Sequence, residues 1–114
     1  MLVVDGRRTD VPVEIAAGRR ARRRGLLGRT GIECVLRIEP CRQVHTVGMR
    51  FAIDVAFCDR DGVVLRVVTM RPGRCSAVVW RARSVLEGPA GAFSGWGLRR
   101  GAVVAVREHA AHDS

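Results

Sequence analysis

One stretch of this chain admits few folds: a strict alternation followed by a reversal. Phe51, Ile53, Val55 and Phe57 alternate with Ala52, Asp54, Ala56 and Cys58, the period of a strand buried on one face. Residues 63–70 supply a second extended run, with Arg60-Asp61-Gly62 between the two. A three-residue loop with Gly62 left-handed predicts a hairpin in which Asp59 opposes Val63, Phe57 opposes Leu65 and Val55 opposes Val67. The large apolar residues then share one face, whereas a two-residue loop sets Phe57 against Arg66 and mixes the faces. On the opposite face Asp54 lies diagonal to Arg66. That carboxylate reads as half of an ion pair with Arg66 or another arginine, or as an acid left open by small neighbours.

Around this hairpin the sequence predicts short strands at residues 2–5 and 11–16, parted by a polar turn at 6–10. Pro12 assigns the second strand to an edge, since proline cannot donate to a ladder. A helix is expected over 16–27, a strand over 34–39 ending at Pro40, and a loop or single helical turn over 41–50. Arg71-Pro72-Gly73-Arg74 reads as a turn. Further strands are expected at 76–82, 85–87 and 102–107, a short helix at 90–96, and a frayed tail at 108–114. With 114 residues, 47% hydrophobic and 27% charged, the chain is expected to form one globular domain, residues 1–114. No apolar run reaches the roughly 18 residues of a membrane span. No basic segment followed by a long apolar one opens the sequence, so a cytoplasmic monomer without a membrane span is expected.

The formal net charge is +9, and every basic residue is arginine. Coding sequence rich in G and C favours arginine generally, so part of this charge reads as compositional. The densest cluster is Arg19, Arg20, Arg22, Arg23 and Arg24, where like charges one helical turn apart repel. It is either a solvated face or a site for an anion, with weak nonspecific nucleic-acid binding as one consequence. With aromatics at 4%, base-stacking platforms are scarce.

Candidate chemistry gathers near His45, the side chain whose ordinary pKa lies closest to neutrality. Thr46 and Met49 flank it, and Cys41 stands four residues before it. A zinc site would need Cys34, Cys75, His109 or His112 to converge without any short-spaced ligand pair, so no metal is expected, and no cofactor. The four cysteines read as small buried hydrophobes. Glu87, in an apolar and glycine-rich run, is either a buried acid held by Arg74 or Arg50 or a partner of His45 or Asp54 across a pocket. His45, Thr46, Met49, Asp54, Arg74 and Glu87 are thus the candidate ligand-binding residues. The alternative is a small hydrolase-like enzyme using His45 with Asp54 or Glu87.

The run Gly25-Leu26-Leu27-Gly28-Arg29, then His45-Thr46 and Met49, then Ile53-Asp54-Val55-Ala56-Phe57 with Asp59 to Gly62, resembles the bacterial and archaeal family called domain of unknown function 192. So does Val85-Leu86-Glu87-Gly88-Pro89-Ala90-Gly91, followed by the glycines at 95, 97 and 101. The resemblance covers about residues 19–107 in order. It implies an α+β fold, mostly antiparallel β-sheet curled into a partly closed barrel, with one or two short helices. It implies no reaction and no catalytic residue. The expected function is a small-ligand or protein-binding module rather than an enzyme, its polar site around His45.

Overall fold

The computed structural model describes residues 1–16 and 34–107. The helix expected beyond Ala16, the arginines from Arg19 to Arg24, both distal histidines and the tail lie outside the described residues.

Eight strands and one short helix are described: β1 (Leu2–Val4), β2 (Arg7–Arg8), β3 (Val13–Ala16), β4 (Val35–Ile38), β5 (Ile53–Cys58), β6 (Val64–Met70), β7 (Ser84–Pro89), α1 (Ala92–Gly95) and β8 (Val104–Val106). They form a three-stranded sheet, β2-β1-β8, and a five-stranded sheet, β3-β4-β7-β5-β6. Among the described residues the fold is mostly β with very little helix, and neither sheet is closed into a barrel. Two features depart from the expected layout. β3 runs parallel to β4, and the early turn is the dipeptide Asp5-Gly6, both with positive φ, leaving Arg7 and Arg8 to pair back onto β1. The edge position expected from Pro12 holds, because β3 ends the larger sheet.

The central hairpin folds as a three-residue loop at its tip and then departs from the expected register. Gly62 is left-handed at φ 83. Asp59 Oδ1 accepts the N–H groups of Asp61 and Val63, each at 2.9 Å, which locks the loop locally. Asp59 opposes Val63 and Cys58 pairs with Val64, as the loop length requires, but Phe57 then pairs with Arg66 and Val55 with Val68. Leu65 is therefore the extra residue of a β-bulge. The cause is tertiary: the strand start is also held by the chain before β8, where Val64 N–H donates to the Ala102 carbonyl at 2.8 Å. The bulge absorbs the mismatch, and Val68 and Met70 still reach the core.

The five-stranded sheet separates two apolar clusters. Leu36, Ile38, Ile53, Val55, Phe57, Met70 and Val85 face one, which Val44 and Met49 also enter. Val35, Ala56, Cys58, Val64 and Leu86 face the other, against Leu2, Val4, Phe93 and Leu98. A fully buried side chain such as Phe57, with 0% exposure, contributes about 2–3 kcal/mol through burial. α1 seats Phe93 on this second face directly over Gly88. A Cβ on Gly88 would lie 2.4 Å from the Phe93 ring, which is why glycine stands there.

Residues 76–82 do not form the expected strand. They run beside residues 42–44 through isolated bonds, Ser76 N–H to Val44 O and Val79 N–H to Arg42 O, both 2.8 Å. Trp80 turns outward, 77% exposed, whereas Trp96 packs on Phe93 with ring centroids 5.8 Å apart.

Candidate anion-binding groove

The turn Arg71-Pro72-Gly73-Arg74 is shaped by proline's fixed φ followed by Gly73 at φ 78, the conformations a type II turn requires. Such a turn brings its first and fourth residues, here both arginines, close together. Thr46, fully buried, pins it from beneath. Its Oγ1 donates to the Arg71 carbonyl at 2.5 Å and accepts the Arg74 N–H at 2.8 Å, so the hydroxyl bridges the turn. Its own backbone adds Thr46 N–H to Arg74 O at 2.7 Å and Gly73 N–H to Thr46 O at 2.9 Å.

Next to this turn lies an open groove of about 350 Å³ between β6 and residues 74–77. Arg66, Arg71 and Arg74 line it with Val68, Met70, Cys75 and Ser76. The ion pairs among the described residues, Arg37–Glu39 and Arg83–Glu39 at 3.2 Å each, lie elsewhere. The groove is thus lined by three arginines and, among the described residues, by no carboxylate. Arginine's planar fork suits carboxylate or phosphate oxygens.

His45 is exposed and forms an isolated antiparallel bridge with Cys75. The flanking bonds, Thr46 N–H to Arg74 O and Ser76 N–H to Val44 O, make it the narrow, non-hydrogen-bonded type of pair. In that type the Cα atoms stand about 4.5 Å apart with both side chains on one side. Cys75 is an exposed cysteine, not a buried hydrophobe; Cys34 and Cys41 are partly exposed. The fully buried cysteine is Cys58, whose thiol is pushed up to about 12 by burial. Gln43 Nε2 donates to Cys75 Sγ at 3.5 Å and to the Ser76 carbonyl at 3.0 Å. Of the loop or single helical turn expected over 41–50, the loop forms, so Cys41 and His45 share no helical face, and Cys41 Sγ donates to the Gln43 carbonyl.

The two candidate carboxylates do not meet. Asp54 pairs with Gly88 while Val55 pairs with Glu87, so strand alternation sends Asp54 and Glu87 to opposite faces of one sheet. Asp54 Oδ1 accepts the Thr69 hydroxyl at 2.6 Å and Oδ2 accepts the Phe93 N–H at 3.0 Å. This replaces the expected ion pair with Arg66, which the bulge places opposite Phe57. Glu87, flanked by Leu36 and Val55, makes no bond to Arg74 or Arg50, and burial pushes its carboxyl up to about 7. Met49 is a core residue. Of the six candidates, Thr46 and Arg74 are brought together with His45 beside them, while Met49, Asp54 and Glu87 belong to the interior. Among the described residues no three His, Cys, Asp or Glu side chains converge as a metal site. Arg66, Arg71 and Cys75, which line the groove, are not among those six; the Arg-Pro-Gly-Arg turn is the local signal for Arg71.

A three-stranded sheet packed against a five-stranded one, with an arginine-lined groove at the edge of the larger, defines a mostly-β protein among the described residues. The chain belongs to the DUF192 family, described as an uncharacterized ACR, whose model matches residues 1–106. No curated protein matches it. Solved structures with the same fold include a protein of unknown function from Novosphingobium aromaticivorans, 19% identical, with a TM-score of 0.72 over 84% of this chain and 75% of that one. Another is a Sinorhizobium meliloti protein described as a candidate transcription regulator, 20% identical, with a TM-score of 0.69 over 83% of this chain and 81% of that one. At these identities the likeness is one of fold. No described helix is long and apolar enough to cross a membrane.

Proposed function

We propose that this chain is a small-ligand-binding module whose ligand is an anion, a carboxylate- or phosphate-bearing small molecule held in the groove between β6 and residues 74–77. The observation that carries the reading is the gathering of Arg66, Arg71 and Arg74 around a groove of about 350 Å³ without an ion-pair partner among the described residues. Like charges held together cost free energy that a bound anion relieves, and such a concave positive patch raises the local anion concentration. Thr46 is the positioning residue: it touches the turn backbone rather than the ligand. Val68 and Met70 supply an apolar floor, the usual composition of a small-molecule site. His45 pairs across the bridge with Cys75, one of the lining residues.

The reading is tested by titrating inorganic phosphate and citrate into the wild-type chain and into Arg71→Ala/Arg74→Ala, following backbone amide shifts. The expected outcome is a saturable response at residues 66–77 that weakens roughly tenfold or more in the double variant, about 1.4 kcal/mol or more, with no fall in the unfolding midpoint. A response spread evenly over all arginine-bearing surfaces, or none at all, would refute it.

A further inference from the structure

The groove has a feature that anion binding alone does not use: Cys75 opens onto it, paired across the bridge with His45 and contacted by Gln43. We infer that Cys75 is a nucleophilic thiol which reacts with carboxylate-bearing disulfides that the neighbouring arginines draw into the groove.

Three observations converge on this. Cys75 is exposed and lines the same groove as Arg66, Arg71 and Arg74. The narrow antiparallel pairing puts the His45 and Cys75 side chains on the same side at cross-strand distance, a separation that one water bridges for proton transfer. Gln43 is tied at 3.0 Å to the Ser76 carbonyl and presents its remaining N–H to the sulfur at 3.5 Å, which fixes where Sγ sits. The exposed thiol thus has a proton acceptor, an orienting donor and a positive surface beside it, the surroundings in which cysteines exchange with disulfides.

The step balances without an external oxidant. The Cys75 thiol passes its proton to the His45 imidazole, and the thiolate attacks one sulfur of the incoming disulfide. A Cys75–S–S–R bond forms as the R–S–S–R bond breaks. The departing thiolate takes the proton back from the imidazolium and leaves as R–SH. One disulfide is consumed and one is made, with no net electron transfer out of the system. Arg71 and Arg74 hold the carboxylates of the entering and leaving groups; His45 acts on the proton.

This assignment rests on the anion-binding reading, and its test separates the two. The full chain is treated with the dianionic aromatic disulfide known as Ellman's reagent and, in parallel, with a neutral dipyridyl disulfide, each rate being divided by that of a free cysteine peptide. Cys75→Ser supplies the background from Cys34 and Cys41, and mass spectrometry places the adduct. Cys75 is expected to prefer the anionic reagent by roughly tenfold or more at low salt. That preference is lost in Arg71→Ala/Arg74→Ala and in high salt, while the rate with the neutral reagent stays unchanged. His45→Gln is expected to slow both reagents alike, a signature no loss of surface charge would produce. Labelling of Cys75 no faster than the peptide by either reagent, or a preference indifferent to the two arginines, overturns the inference. If phosphate and citrate still shift residues 66–77 in that case, anion binding stands and the thiol chemistry alone falls.

Discussion

Asp54 and Glu87 sit on neighbouring strands of one sheet, 3% and 4% exposed, and they have opposite fates. Asp54 faces α1 and finds a donor for each oxygen, the Thr69 hydroxyl and the Phe93 N–H. Glu87 faces the other cluster between Leu36 and Val55 and finds none among the described residues. Burial alone therefore does not say what a carboxylate does. A satisfied one works as a staple, here tying β5 to β6 and to the first turn of α1. One buried without a protein partner resists ionisation and makes stability depend on pH.

The comparison is sharpest at Asp54. Asp54→Ala strands the buried Phe93 N–H, costing about 1–3 kcal/mol, and removes the bond to the hydroxyl of exposed Thr69, worth about 0.5–1.5 kcal/mol, so a loss of roughly 3 kcal/mol is expected in urea unfolding. A loss under about 1 kcal/mol would mean that water replaces both bonds and that the two carboxylates are less different than their geometry says.

Glu87 gives the next largest effect, with the opposite sign. Its carboxyl titrates at about 7 in the folded chain against an ordinary value of 4.5. As pH rises from 4.5 to 7 the unfolded chain ionises first, so the folded state loses stability over that window, by up to roughly 3 kcal/mol at about 1.4 kcal/mol per pH unit. Glu87→Gln removes the titration and is expected to exceed the wild type in stability at pH 8 while matching it near pH 4. Unfolding midpoints across that range decide it; parallel curves for the two proteins would show that Glu87 ionises freely when folded.

A smaller effect is expected at Gly88, on the face Asp54 serves. Gly88→Ala drives a methyl to 2.4 Å from the Phe93 ring, and overpacking of this kind costs about 1–3 kcal/mol. Calorimetric unfolding would register it. A neutral result would mean that α1 shifts outward easily and that its bond to Asp54 is slack.

Much of the frame was readable in the residues because the signals are local. Asp59 to Gly62 carry the chemistry of a loop, and Gly62 takes the left-handed conformation that loop needs. Pro72-Gly73 makes a turn, and Pro12 marks an edge. The bulge at Leu65 was not readable. Val63, Val64, Leu65, Val67 and Val68 place apolar side chains on both parities, so the hydrophobic pattern leaves the register open, and a contact with Ala102 selects it. The parallel pairing of β3 with β4 was equally hidden, because nothing in either short run names its neighbour.

The candidate site divides along the same line. Thr46 and Arg74 were legible as polar residues in a turn-rich setting, and they do meet. The grouping of His45 with Asp54 and Glu87 was not attainable from sequence, since whether two strand residues share a face depends on which partners their strands find. The pairing of His45 with Cys75 joins segments far apart in the chain and has no local sign.

The amino-acid sequence by itself set where this chain extends and where it reverses, because proline, glycine and side-chain alternation act on their immediate backbone. Only the tertiary structure decided which polar side chains share a space. One residue of register exchanges the two faces of a strand, and that register is fixed by contacts with strands elsewhere in the chain.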